Sequence, residues 1–441
     1  MKLSEFVYPD IKAARSVNLE RDSGSERTIN DYLITSKSID IIKRFTTALN
    51  GERISAWSLS GPYGMGKSSF VNYLLSLTGN PSSSITALAQ NKLQDSEQEL
   101  AQTLIDACSK QTNGKGFLHI SVTASYEPIN QTLSRGLHQS LINNKKHIKD
   151  KSKRAELIDL LEQMTEQNAF ETRTLANIYF KVRNLANVPI MIVVDEFGKN
   201  LEYMAHHPDK GDIYILQMLA EAERVFLWVC LHQAFDDYAT GLTTQQRIEW
   251  AKVQGRFEDI SFVETPQQMI SLMKRALIRS DRNGISQIIS RWAEQFGKKM
   301  IQIKDSFNGS DLDKETIFSL YPLHPLTALA LPELCRRFAQ NDRTLFSFLC
   351  GGDPLALPQF LNTHRLDHDE PGVPLLGLDR LYDFFFSLST TSFIDRAESQ
   401  RWIEIQDIIR QETDFDDRSL KIWVFSHLVG ESLVDFKSKV S

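Results

Sequence analysis

The sequence predicts an α/β fold built on a parallel sheet that is covered by helices, and three observations lead to it. Residues 188–194 and 225–231 are continuous apolar runs of strand length, which is typical of strands buried on both faces. Strand patterns alternate with helical patterns as far as residue 265, as in a parallel sheet. A glycine-rich loop at 61–68 joins one of these strands to a helix.

The first elements of this core are predicted at residues 31–77. A short extended piece at 31–35 precedes a helix that Ser36 or Ser38 can cap and that Asn50-Gly51 ends. Residues 54–60 alternate like a strand and run into the glycine-rich loop, and 69–77 have a helical pattern. One face of the first helix is apolar and carries Ile39, Ile42, Phe45 and Leu49.

The remaining elements complete an alternating order and then give way to helices. Further strands are predicted at 117–123, 188–194, 225–231 and, more weakly, 259–263, with helices between them. From residue 266 the pattern is mostly helical, apart from a turn-rich stretch at 351–375. We therefore expect four regions: an N-terminal extension at 1–30, an α/β core at 31–265, a helical lid at 266–350 and a helical C-terminal region at 351–441. A winged-helix-like form of the last region and its truncation both stay open.

Composition narrows the classes of function. A hydrophobic fraction of 41% and a charged fraction of 24% fit a globular protein, and a net charge of −6 argues against a surface devoted to nucleic acid. The four cysteines are scattered, so neither a zinc ribbon nor a thioredoxin-type site is indicated. No signal peptide or apolar run of about 18 residues is found, and a cytoplasmic protein without a membrane span is expected.

The loop at 61–68 fits the pattern Gly-x-x-x-x-Gly-Lys-Ser between a strand and a helix. Its glycines let the backbone wrap a phosphate, so that N–H groups and the helix N-terminus face the anion. Lys67 would reach the β- and γ-phosphates of ATP, and the Ser68 hydroxyl would bind Mg²⁺. The alternative is a flexible turn before a lysine. The other predicted nucleotide contacts are Gly61, Pro62, Tyr63, Gly64, Met65, Gly66 and Ser69.

Two acids follow the apolar run at 188–194. Asp195 at the strand end would hold Mg²⁺ near the phosphate loop, and Glu196 would orient and deprotonate the attacking water. The alternative is a strand that ends in two acids because it surfaces there.

These motifs resemble the AAA+ and STAND groups of P-loop ATPases (the AAA+/ASCE type of P-loop NTPase), where a glutamate follows the Mg²⁺-site aspartate. The resemblance implies a polar sensor after the next strand, where His232 and Gln233 are both candidates. It also implies that Arg256 completes the site of a neighbouring subunit and that Arg343 reaches the γ-phosphate from a second sensor helix. Each arginine can equally be an ordinary surface or ion-paired residue.

A closer resemblance rests on four segments in order: 32–35 (Tyr-Leu-Ile-Thr), 57–68, 321–325 (Tyr-Pro-Leu-His-Pro) and 343–346 (Arg-Thr-Leu-Phe). The series is similar to the large ATPases of bacterial anti-phage defence islands, including BREX-type systems, and adds Tyr32 to the candidate nucleotide contacts. Such proteins are usually much longer, which would fit a piece of a longer chain. No nuclease, protease, deaminase or TIR domain is recognisable here.

The expected function is Mg²⁺-dependent ATP binding and hydrolysis that drives assembly of a homo-oligomeric ring or a conformational change, with a role in defence. One alternative is an ATP-gated scaffold that recruits an effector protein with little turnover, and another is a nucleic-acid translocase. The basic segment 143–154 could grip a phosphate backbone or be a solvated helix face. His324 is expected to be a packed structural residue, and a polar loop is expected where His364, Asp367, His368 and Asp369 lie close together in sequence.

Overall fold

The computed structural model describes residues 2–10, 19–22, 24–51, 54–62, 64–168, 170–207, 212–239, 241–280, 285–302, 312–338, 345–366 and 372–386, with 419 and 421. The chain divides into two compact units. One contains residues 16–263, and the other contains residues 1–15 and 264–441.

Seven strands and nineteen α-helices are described. The strands are β1 Val7–Pro9, β2 Ala56–Ser60, β3 Leu118–Thr123, β4 Ile190–Asp195, β5 Val225–Leu231, β6 Glu258–Ser261 and β7 Leu277–Arg279. The helices are α1 Leu19–Asp22, α2 Glu26–Asp31, α3 Ser36–Leu49, α4 Lys67–Leu77, α5 Ser84–Ser96, α6 Gln98–Thr112, α7 Ile129–Asn143, α8 Lys151–Glu166, α9 Thr172–Ala186, α10 Gly198–His206, α11 Tyr214–Ala220, α12 Thr244–Gln254, α13 Pro266–Ala276, α14 Ile285–Gln302, α15 Lys314–Leu320, α16 Pro325–Phe338, α17 Leu345–Cys350, α18 Leu357–Thr363 and α19 Leu378–Phe386. Short 3₁₀ helices occupy Leu3–Glu5 and Phe235–Ala239.

The unit of residues 16–263 contains a five-stranded sheet in the order β3-β4-β5-β2-β6, and every pairing is parallel. The predicted α/β class with a parallel, helix-flanked sheet is confirmed. Strands β4 and β5 are buried at every residue, as their apolar runs predicted. Because all five strands point the same way, their carboxyl ends share one edge of the sheet.

Helices cover both faces of this sheet. The side chains of α3 to α6 build the core on one face, and those of α7 to α12 build it on the other. On the first face Trp57 and Trp228 stack on neighbouring strands at 4.4 Å between ring centroids, and Phe45 of α3 packs edge-on against both. Such large aromatic contacts fix how α3 lies on the strands.

Several predicted elements need correction. Thr35, rather than Ser36 or Ser38, caps α3: its hydroxyl accepts from the Ser38 amide, and the Ser38 side chain completes a capping box. Residue 31, predicted to start an extended piece, ends helix α2 instead. The turn-rich stretch contains α18, whose Leu357, Phe360 and Leu361 are buried. Whether such a short helix forms depends on its burial in the tertiary structure.

The other unit is mainly helical in its described part, which confirms the predicted helical character of the C-terminal region. Its two-stranded antiparallel sheet, in which β1 pairs with β7, was not predicted from the sequence. Each strand has three residues, too few for a clear alternation, and their pairing joins segments far apart in sequence. Across the described residues, no helix is both long and apolar enough to span a membrane.

Candidate functional site

The glycine-rich loop joins the end of β2 to the start of α4. Gly64 and Gly66 have φ values of +72° and +88°, which a side chain would strain. The Gly61 amide donates to the Leu231 carbonyl at 3.2 Å, and a Cβ at Gly61 would lie 2.6 Å from the Phe262 carbonyl oxygen. The loop is therefore tied to β5 and packed against the residue that follows β6. Tyr63 lies outside the described residues.

Lys67 and Ser68 form the first turn of α4 and meet Asp195 at the end of β4. The Ser68 hydroxyl donates to the Asp195 carboxylate, which also accepts the Glu196 amide at 2.9 Å. The Lys67 ammonium donates to the carbonyls of Gly61 and Pro62, the latter at 2.8 Å. The start of α4 and the end of β4 thus bring their polar groups together in one cluster.

Burial dominates the electrostatics of this cluster. Lys67 and Asp195 are each only 6% exposed. Burial raises the pKa of Asp195, and the bonds from Ser68 and Glu196 oppose that rise; burial also lowers the pKa of Lys67. Both shifts mean that burying the charged forms of these two side chains costs free energy of folding.

Glu196 lies in a tight turn directly after β4. Its φ is +53°, in the left-handed region, and its carboxylate forms an ion pair with Lys199 of α10. A Cβ at Gly198 would lie 2.3 Å from the Tyr238 hydroxyl, so this turn packs too closely for a side chain there. Lys199 was not predicted as part of the site; its position three residues after Glu196 was the available signal.

His232 follows β5, the strand between β2 and β4. Burial lowers its pKa to about 3, and the charges of Lys67 and Lys199 add to the effect. The imidazole is therefore neutral near pH 7 and lies within electrostatic reach of both lysines. The structure brings this sensor candidate to the same sheet edge as Lys67 and Asp195.

Cys230 is a second group that sequence analysis missed. It lies near the end of β5, its thiol is buried, and it hydrogen-bonds to the Asp195 carboxylate. Burial is the main reason that the pKa of the thiol is raised well above its usual value. Only the pairing of β4 with β5 brings it to Asp195, and cysteine spacing alone carries no such signal.

The other candidates fall in different places. Tyr32 stacks on Tyr73 of α4 at 4.6 Å, and its hydroxyl shares a 2.6 Å hydrogen bond with Ser38. His324 packs edge-on against Phe296, and its Nδ1 accepts from the Leu326 amide at 3.2 Å. The predictions for Arg343, Asp367, His368 and Asp369 concern positions outside the described residues.

Arg256 lies between α12 and β6, at the amino edge of the sheet. Because β6 runs parallel to β2, this edge is opposite the glycine-rich loop. The guanidinium is 46% exposed, and its Nε contacts a Glu221 carboxylate oxygen at 2.7 Å. Arg256 is thus remote from the Lys67 cluster of its own chain.

No protein-family model matches this chain, and no curated protein matches it. The fold and the geometry of the Lys67–Ser68–Asp195 cluster therefore carry the functional argument.

Proposed function

We propose that this chain is a P-loop NTPase of the AAA+ type that binds ATP with Mg²⁺ and hydrolyses it. One observation carries the proposal. Ser68, in the first turn of the helix after a glycine-rich loop, hydrogen-bonds to a buried aspartate from another strand, with Lys67 beside it. The alternative, a flexible turn that happens to precede a lysine, gives no reason for an aspartate from another strand to be buried against Ser68.

The phosphates of ATP fit the loop on two grounds. The left-handed glycines let successive N–H groups point inward, and the N-terminus of α4 adds the positive end of its dipole. Lys67 now donates to backbone carbonyls, and charged phosphate oxygens are stronger acceptors for an ammonium. The predicted contacts from Gly61 to Ser69 belong to this one loop and helix start.

Mg²⁺ fits the pair formed by Ser68 and Asp195. A hydroxyl and a carboxylate are hard oxygen ligands, and Mg²⁺ is commonly bound through one or two such groups together with substrate phosphates and water. Bound there, the ion would neutralise phosphate charge as hydrolysis proceeds. It would also compensate the buried carboxylate of Asp195.

Glu196 is the proposed base, and His232 the proposed sensor, with Gln233 as the alternative. A carboxylate at this strand end can accept a proton from water. A neutral His232 can hydrogen-bond to a phosphate oxygen or to that water. The ion pair with Lys199 engages Glu196 and would have to loosen before it deprotonates water.

That ion pair also favours the second candidate, an ATP-gated scaffold that assembles, recruits an effector protein and turns over slowly. The first candidate couples hydrolysis to assembly of a homo-oligomer or to a conformational change. The resemblance to defence-island ATPases supports a defence role in the bacterial cytoplasm under either candidate. The steady-state ATPase rate, measured beside nucleotide-dependent sizing, separates them: assembly without appreciable turnover would identify the scaffold.

The site itself is tested with Lys67→Ala, and Lys43→Ala serves as the matched control because Lys43 is an exposed lysine on α3. Lys67→Ala should nearly abolish equilibrium binding of labelled ATP, because no other side-chain cation lies within the loop. Glu196→Gln should bind ATP normally and leave it unhydrolysed. Unchanged affinity in Lys67→Ala would refute the site.

A further inference from the structure

The basic segment 143–154 forms a structured surface beside the core. It contains six lysines or arginines and one aspartate, within a chain whose net charge is −6. Lys145, Lys146, Lys149 and Lys151 are exposed, and no described carboxylate forms an ion pair with them. Solvated surfaces usually intersperse both signs of charge, whereas the stretch from Lys145 to Arg154 has a single acidic residue, Asp150.

The backbone of this segment is held firmly in place. Ile148 is buried in the core, and the Arg154 guanidinium donates to the Ile148 carbonyl at 3.2 Å and to the Lys145 carbonyl at 3.5 Å. The Asn144 side chain donates to the His119 carbonyl at 3.4 Å. The exposed lysines therefore project from a fixed turn, which lowers the entropy lost when they bind an anion.

A seventh cation comes from elsewhere in the sequence. Lys115, in the turn before β3, is exposed and lies close enough to His147 for its charge to affect that ring. Burial is the main reason that the pKa of His147 is lowered, and the lysine adds to it. The fold thus places Lys115 beside the five lysines of the segment, while Arg154 is engaged by backbone carbonyls. We call the six lysines the basic patch: Lys115, Lys145, Lys146, Lys149, Lys151 and Lys153.

The charges in the first turn of α8 are placed unfavourably for the stability of the helix, which indicates that they serve binding. Its first turn holds Lys151, Lys153 and Arg154 and no acidic residue, although the N-terminus of a helix is stabilised by anions and destabilised by cations. Among the residues that the structure describes, the capping Asp150 is the carboxylate that offsets them. An external polyanion would relieve this repulsion, since it is attracted by the lysines and by the helix dipole together.

We propose that the basic patch binds the phosphate backbone of double-stranded DNA without reading its sequence. Closely spaced lysines on a rigid turn suit phosphates spaced along a duplex. Single strands fit less well, because segment 143–154 contains no aromatic residue on which bases could stack. The patch lies at the amino end of β3, where Ser140 of α7 bonds to His119, and so at the edge opposite the glycine-rich loop.

The test is fluorescence anisotropy of a short labelled DNA duplex of arbitrary sequence, titrated with the full chain between about 50 and 200 mM salt. Lys145→Gln/Lys146→Gln/Lys149→Gln should bind at least about tenfold more weakly than the wild type. Its plot of log affinity against log salt should be shallower by about 2.7, because each lost phosphate contact removes about 0.9 from the slope.

The matched control removes the same three charges elsewhere, as Lys43→Gln/Lys252→Gln/Lys298→Gln, at exposed lysines outside the patch. It should change the affinity by less than about twofold. Equal losses in both variants would overturn the proposal, since net charge alone would then explain binding. Absence of wild-type binding at low salt would overturn it as well.

Two further measurements show whether the effect is specific to the basic patch and to DNA. Basal ATPase activity of the patch variant should equal that of the wild type, because the patch lies at the opposite sheet edge; a lost ATPase with normal DNA binding would refute the placement. Sedimentation with phosphatidylserine vesicles provides the competing polyanion. Lysine-dependent vesicle binding without DNA binding would assign the patch to an acidic membrane and overturn the DNA assignment.

Discussion

At the scale of single residues, the candidate site holds two ionisable groups whose burial costs stability. Lys67 and Asp195 are both buried, and burial shifts the pKa of each towards its neutral form. At Asp195 the effect of burial outweighs the opposing attraction of Lys67, so the pKa of its carboxyl is raised. A buried charge that weakens the fold is common where the fold supports binding or catalysis.

The variant Asp195→Asn tests whether the buried carboxylate destabilises the fold. The amide keeps the shape and can still accept from Ser68, but it has no charge to bury, so thermal unfolding at pH 7 should occur at a higher temperature than in the wild type. The pKa of Asp195 is higher in the folded protein than in the unfolded chain, where it is about 3.8, so its charge destabilises the fold fully above the folded pKa and not at all below about 3.8. The difference in unfolding temperature between the wild type and Asp195→Asn should therefore vanish below about pH 3.8.

The same variant should require at least about tenfold more Mg²⁺ for half-maximal ATPase activity, because a neutral ligand attracts the ion less. Asp159→Asn, at an exposed position of α8, should change neither quantity. A less stable Asp195→Asn protein with an unchanged Mg²⁺ titration would show that the carboxylate is a structural group.

At the scale of elements, three strand ends hold the glycine-rich loop in its conformation. It continues from β2, donates a hydrogen bond from the Gly61 amide to the carbonyl at the end of β5, and packs against the residue after β6. Its conformation is therefore set by the neighbouring strands as well as by its own glycines. The 2.6 Å approach of a Gly61 Cβ to the Phe262 carbonyl leaves no room for a methyl group without moving backbone.

Gly61→Ala should therefore lower the free energy of unfolding by about 1–3 kcal/mol and weaken ATP binding together. Urea unfolding followed by the fluorescence of buried Trp57 and Trp228 measures the first effect, and labelled ATP the second. Gly241→Ala is the control, because nothing lies within 4 Å of its Cβ position. Equal stability of the two variants would mean that the β2 and β6 ends separate easily.

At the scale of the molecule, the two edges of the parallel sheet carry different groups. The carboxyl edge gathers Lys67, Asp195 and His232, and the amino edge presents Arg256 and the basic patch. Arg256 is exposed and held by Glu221 in its own chain. An arginine has a permanent charge and five donors suited to a neighbour's γ-phosphate, so the proposed shared site between subunits would account for an exposed arginine at this edge.

We therefore predict a homo-oligomer in which Arg256→Ala keeps ATP binding and loses about 10³-fold in hydrolysis rate. Mixing Arg256→Ala with Glu196→Gln should restore part of the activity, since a wild-type arginine can then face an intact glutamate across one subunit boundary. Sizing and steady-state ATPase rates of the mixture check this. Mixed oligomers without recovered activity would rule out an arginine acting between subunits.

The sequence by itself determined the features that neighbouring residues decide. The glycine-rich loop, the buried strands β4 and β5 and the acidic strand end could be predicted, because periodicity and short motifs report local backbone preferences. The helix cap was wrong by one residue at Thr35, since several hydroxyls in a row offer similar caps. The short strands β1 and β7 were missed, because three residues carry little pattern.

Only the tertiary structure decided which of these features meet. It placed β5 between β2 and β4, joined Ser68 to Asp195, added Cys230 and Lys199 to the cluster and added Lys115 to the basic patch. These contacts follow from the order in which strands pair and from how helices pack on them. Their free energy comes from burying apolar surface over the whole sheet, and local sequence does not encode that sum.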